Sequence, residues 1–124
     1  MANKRKRATQ GPGSPSAEER WKETVKGWLR KKTTLEVVEA REVKRFKDEN
    51  EKARILGHRT GPIPEKPGGF MHEEWAKFRA NFQKGDEFWI FSSPKDTWNQ
   101  LAGRAGFAIV RNEEVVDVFV SVMS

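Results

Sequence analysis

The residues that could do chemistry are concentrated in SSPKDTWNQLAGRAG, residues 92–106. Arg104 carries a planar fork of donors that matches a carboxylate or phosphate. Trp98 offers a flat apolar face with one N–H donor, and Asn99 an amide. Gly106, at the start of a hydrophobic run, marks close backbone approach. Arg104, Trp98, Asn99 and Gly106 are therefore the candidate ligand-binding residues. A local reading stands beside this one. An arginine between a helix end and a strand also pairs with a neighbouring carboxylate, or donates to the free carbonyls of that helix. Gly103-Arg104-Ala105-Gly106 is no phosphate-loop fingerprint, because it lacks the spacing and precedes a strand instead of a helix.

A second candidate set is cationic. Lys4, Arg5, Lys6 and Arg7 form a basic cluster, and Lys22, Lys26 and Arg30 fall along one line of an expected helix. Either group suits an acidic partner or a nucleic-acid backbone, with an affinity that falls as salt rises.

Little else has catalytic spacing. There is no cysteine, which excludes disulfides, thiolate metal sites and a cysteine nucleophile. His58 and His72 show no metal-ligand spacing. Ser92 and Ser93 lack a nucleophile-elbow motif. The adjacent pairs Glu73-Glu74 and Glu113-Glu114 point apart on a helix or strand, so they make no acid/base dyad. No catalytic residue, metal or cofactor is expected, and the balance leans away from an enzyme.

The chain has 124 residues with 34% charged side chains, five Trp and eight Phe, enough for one domain whose core is aromatic. The net charge is +6, unevenly spread. Residues 1–34 carry ten Lys/Arg against three Glu, whereas residues 35–124 carry fourteen Lys/Arg against fifteen Asp/Glu. The apolar runs are too short to span a bilayer and no signal-peptide core follows the basic start. The expectation is a cytoplasmic protein.

These groups need positioning. Residues 1–15 read as a disordered basic tail, and 16–124 as one domain with a Pro/Gly-rich loop at 57–69. Ser16 with Glu19 makes a capping box. Trp21, Val25, Trp28 and Leu29 then form one stripe, predicting a helix over 17–32. Thr33 with Glu36 repeats the box ahead of a helix over about 34–56, although its valines also suit a strand. Met71, Trp75, Phe78 and Phe82 predict a third helix over 71–84, stopped by Gly85. Ser93 as N-cap, Pro94 at the first position and Gly103 as a left-handed stop predict a short helix over 94–102.

Strands are expected at 86–92, 106–112 and 114–122, the last two joined at Asn112-Glu113, where Glu is a poor fit for a left-handed turn position. Val116, Val118, Val120 and Val122 should share one face of the last strand. The strand at 86–92 is aromatic on both faces, which raises the expectation of a homodimer covering one of them.

Gly85-Asp86-Glu87, Ser92-Ser93-Pro94, Trp98 and Leu101 to Gly106, followed by a hairpin, resemble the C-terminal pattern of a group of small uncharacterised bacterial proteins. The likeness spans roughly residues 84–124 and implies a shared fold. It brings no activity.

The expected architecture is α+β: a small antiparallel sheet of about three strands with packed helices and the disordered basic tail. Three functional readings stay open: a non-enzymatic interaction module with an acidic partner, a small anionic-ligand-binding protein or enzyme with a pocket near Trp98 and Arg104, and a nucleic-acid-associated protein acting through its basic N-terminal segment.

Overall fold

The computed structural model describes residues 16–57 and 61–124. The tail at 1–15, with Lys4, Arg5, Lys6 and Arg7, and His58 in the loop lie outside the described residues. The fold is α+β, as expected. Its elements run α1 (Ala17–Lys26), β1 (Leu29–Thr33), α2 (Leu35–Ile55), a 3₁₀ turn (Gly69–Met71), α3 (His72–Ala80), β2 (Glu87–Ser92), α4 (Lys95–Asn99), β3 (Arg104–Arg111) and β4 (Glu114–Met123). The sheet has four strands, each antiparallel to its neighbour, in the order β1-β2-β3-β4.

The fourth strand replaces the end of the expected first helix. Ser16 caps α1 in a complete capping box, but the helix stops at Lys26, and Gly27 and Trp28 donate back to Thr24 and Val25. Leu29 to Thr33 then pair with β2, Leu29 opposite Phe91 and Thr33 opposite Phe88. The stripe had identified the buried residues correctly and the backbone path wrongly. Trp21, Val25, Trp28 and Leu29 all sit in one apolar cluster with Phe91. Trp28 stacks on Phe91 at 6.4 Å and meets Trp21 edge-on at 5.8 Å. Pairing with β2 wins over continuing the helix, because it satisfies backbone groups on both strands.

Residues 35–55 are helical, and Thr34, not Thr33, is the cap, accepting from the Val37 N–H. The expected third helix is shorter, ending at Ala80, and the chain turns before Gly85 while Phe82 still packs on the core. Trp75 is the centre of that core. It lies 5.1 Å from Phe119, 5.6 Å from Phe107 and 5.5 Å from Phe78. Its indole N–H donates to Glu39, which also accepts from Arg79, tying α2 to α3.

The sheet thus has two covered faces. Phe88, Ile109 and Phe119 face α2 and α3, whereas Phe91, Ala108, Val110 and Val115 face α1. Both aromatic faces of β2 are met by this chain's own helices, so the original ground for a homodimer falls. The valine expectation for β4 is also corrected. Asp117 stands opposite Ile109 and Val115 opposite Val110, leaving Val116 as an extra residue. This bulge reverses the alternation. Val116 joins Phe119 on the α3 side, and Val115 joins Val118 and Val120 on the α1 side. The β3–β4 turn holds Asn112 and Glu113 at φ 52° and 67°, the left-handed pair that a two-residue hairpin needs.

The loop into β2 is fixed by one clamp. Arg111 donates to both carboxylate oxygens of Asp86 at 2.8 Å and to the Asn81 carbonyl at 3.0 Å. The Asp86 side chain is 2% exposed. Arg111 holds that carboxyl below its ordinary pKa, outweighing the opposing effect of burial.

Candidate functional site

Arg104 opens β3 at one end of the sheet, and the loop around α4 builds its surroundings. The boundary residues act differently from the sequence expectation. Pro94 is the N-cap residue and α4 covers only Lys95–Asn99. Ser93 is buried and serves β3 instead. Its hydroxyl bonds Thr97 at 2.6 Å and accepts the Arg104 N–H at 2.9 Å, while its own N–H donates to the Arg104 carbonyl.

The left-handed residue after α4 is Leu101, at φ 59°, not Gly103. Leu101 N–H donates to Trp98 and Ala102 N–H to Thr97, the double bond pattern of a Schellman stop. A leucine therefore occupies the position that glycine normally takes, with its side chain 78% exposed. The two glycines of the quoted stretch have other duties. A Cβ on Gly103 would lie 2.1 Å from the Trp98 ring, and a Cβ on Gly106 only 2.0 Å from the Phe119 carbonyl oxygen. Gly103 lets the indole lie flat on the chain. Gly106 lets β4 bulge inward at Ser121, the extra residue between Val120 and Val122. Both are accounted for by backbone proximity, and Gly106 faces β4 backbone and no open site.

Arg104 takes neither expected local partner, since the carbonyl it reaches belongs to Gly103, beyond the end of α4 at Asn99. One guanidinium nitrogen donates to the Gly103 carbonyl at 2.8 Å. Among the described residues no carboxylate forms an ion pair with it. Arg30 behaves alike: its Nε donates to the Ser92 carbonyl at 3.0 Å, and no carboxylate among the described residues pairs with it. Arg30 thus reaches the Ser92 carbonyl and Arg104 the Gly103 carbonyl, each with most of its donors uncommitted. Trp98 is half-buried over Gly103 and donates to the Ser93 carbonyl, so its N–H is used. Asn99 is exposed at the end of α4.

The expected cationic line along the first helix is not formed. Arg30 is on β1. Lys22 pairs with Glu18 at 3.0 Å and Lys26 with Glu114 at 3.0 Å. The bond to Glu114 raises the Lys26 pKa, as expected for an ammonium with a fixed counter-charge. His72 is engaged at Pro67, whose carbonyl lies 2.8 Å from its Nδ1.

Grooves lie elsewhere. One of about 340 Å³ runs between α3 and β4, and another of about 710 Å³ between the end of α2 and residues 61–65. No described helix is long and apolar enough to cross a membrane. Sequence reasoning missed Leu101 because Gly103, two positions on, supplied a more familiar stop. It left Arg30 on a helix, whereas that residue lies on β1.

Compared with known proteins, the chain matches no family model, no curated protein and no solved structure.

Proposed function

We propose that this chain is a non-enzymatic interaction module that receives an acidic group of a partner protein at the corner formed by Arg104, Arg30, Trp98 and Asn99. The observation that carries the reading is the Arg104 guanidinium, half-buried, oriented by the Gly103 carbonyl and lacking a carboxylate among the described residues. A carboxylate arriving there gains a charge-assisted contact with a group whose rotamer is already held. Leu101 adds an exposed apolar contact beside it. A bacterial cytoplasmic setting belongs to the same reading.

The test is titration with a capped glutamate-rich peptide, followed by amide chemical shifts. Arg104→Ala is expected to weaken binding about tenfold while leaving the fold intact. Shifts centred away from residues 92–104, or an affinity indifferent to Arg104→Ala, would overturn the reading. Small phosphate and dicarboxylate anions in the same assay separate a ligand pocket from a protein-docking corner. The nucleic-acid reading loses Lys22 and Lys26 to their ion pairs. It rests on Arg30 and residues 1–15, and DNA binding with and without those fifteen residues decides it.

A further inference from the structure

The two edges of the sheet are finished differently. At one edge β1 displays Arg30, Lys31 and Lys32 in succession, all exposed. Two such edges brought together would oppose like charges. At the other edge β4 has Asp117, whose carboxylate accepts the Val118 N–H at 2.8 Å. Asn81 also donates to Asp117. Val118 therefore points its N–H away from β3, and Val120, two residues along an unbroken stretch, shares that orientation. From Val118 to Met123 the strand carries no charged side chain.

The groove between α3 and β4 runs along this edge, with Met71, Glu74, Lys77 and Asn81 on one wall and Asp117 to Val120 on the other. Phe70, Met71, Val122 and Met123 are large apolar side chains left exposed toward one end of it, opposite the Asn81–Asp117 bond, Phe70 at 74% and Met123 at 67%. Glu74 and Lys77 sit one turn apart on α3, face the groove, and form no ion pair among the described residues.

From this surface we infer that β4 is the dimerisation edge, and that its occupant is the β4 of a second copy of this chain. An interface about a two-fold axis must be complementary to itself. An edge with no charged side chain over residues 118–123 can lie antiparallel to its own copy without repulsion, Val120 offering its N–H between the capped Val118 and the bulge at Ser121. The same axis sets α3 beside its counterpart, so that Glu74 of each copy meets Lys77 of the other. The two four-stranded sheets become one of eight strands, and the exposed apolar end of the groove is covered. The β1 edge, with its three cations, stays free. This surface is separate from the Arg104 corner and does not depend on it.

The full chain is examined by sedimentation velocity from about 1 to 200 µM, the range over which a modest dimer follows mass action. The expected result is a concentration-dependent monomer–dimer equilibrium. Glu74→Lys and Lys77→Glu should each weaken it by about tenfold, and the double exchange should restore it, because the pairing is reciprocal. Both residues are exposed on α3, so these variants fold even if Val122→Lys, which puts charge on the edge, does not. A monomer throughout the range would overturn the inference. So would a dimer insensitive to both single exchanges, or a double exchange that fails to recover the association.

Discussion

Gly106→Ala tests the packing of the β3–β4 ladder most directly. The new methyl would lie 2.0 Å from the Phe119 carbonyl oxygen and 2.9 Å from the Ser121 nitrogen, and both are backbone atoms. Ordinary carbon contacts begin near 3.5 Å, so β4 must retreat by more than 1 Å at a bulge fixed on both sides by strand pairing. Overpacking of this kind costs about 1–3 kcal/mol. Weakening one or two ladder hydrogen bonds adds about 1 kcal/mol each. Together they give about 3 kcal/mol, a large part of the stability of a domain this size, and a fall in Tm of roughly 10 °C. Urea unfolding followed by tryptophan fluorescence measures it.

The control is Gly103→Ala, whose methyl would meet the Trp98 ring at 2.1 Å. Here the obstacle is a side chain, so Trp98→Ala should relieve Gly103→Ala in the double variant while leaving the cost of Gly106→Ala unchanged. If Gly106→Ala stays within about 1 kcal/mol of the parent, compared with the several expected, the inward bulge is not as tight as described and the reasoning fails.

Three further outcomes follow from the same contacts. Leu101→Gly should raise stability by about 0.5–1 kcal/mol, since a left-handed leucine is strained and its side chain is exposed. A lower urea midpoint would show that the side chain packs on something within the chain. The Asp86 carboxyl is held below its ordinary value by Arg111, so the stability that it contributes is present above the unfolded pKa and lost as pH falls through the lower folded one. Urea midpoints should therefore decline below about pH 5. Asp86→Asn should cost about 2 kcal/mol at neutral pH and flatten that decline in part, while an unchanged acid limb would assign it to surface carboxylates such as Glu19 and Glu87, which are also held low. Trp75→Phe removes buried volume and the donor to Glu39, and should lower stability by about 2–3 kcal/mol by calorimetry. A change under about 1 kcal/mol would mean that the core closes around the smaller ring.

What was legible in the sequence was burial. The spacing of Trp75, Phe78 and Phe82 marked a core stripe, although Met71 ahead of them is exposed, and Phe88, Trp89 and Phe91 marked a strand covered on both sides. What was not legible was where the backbone changes state while burial continues. Trp28 and Leu29 fit a helical stripe and are buried with it, yet they lie beyond Gly27 on the way into β1. Periodicity records which side chains leave water, and only the partner strand decides how the chain gets there. The β4 bulges were hidden for a related reason, since one extra residue inverts an alternation that looks continuous. At the candidate site Arg104 and Trp98 were singled out, and Gly106 was rightly suspected of close approach. Leu101 carried no signal, because its role depends on a helix end two residues earlier than the glycine suggested.

Residues 16–33 lie across one whole face of the sheet, from α1 against β4 at one edge to β1 at the other. In synthesis this strap precedes every other described element, yet the strand that α1 leans on, ending at Met123, follows them all. For the roughly 3–13 seconds that translation takes to add the sixty-odd residues from Trp28 to Phe91, Trp21 and Trp28 have only each other to rest against. The nascent chain therefore carries a bare aromatic handle until β2 emerges, and α1 meets its own strand later still.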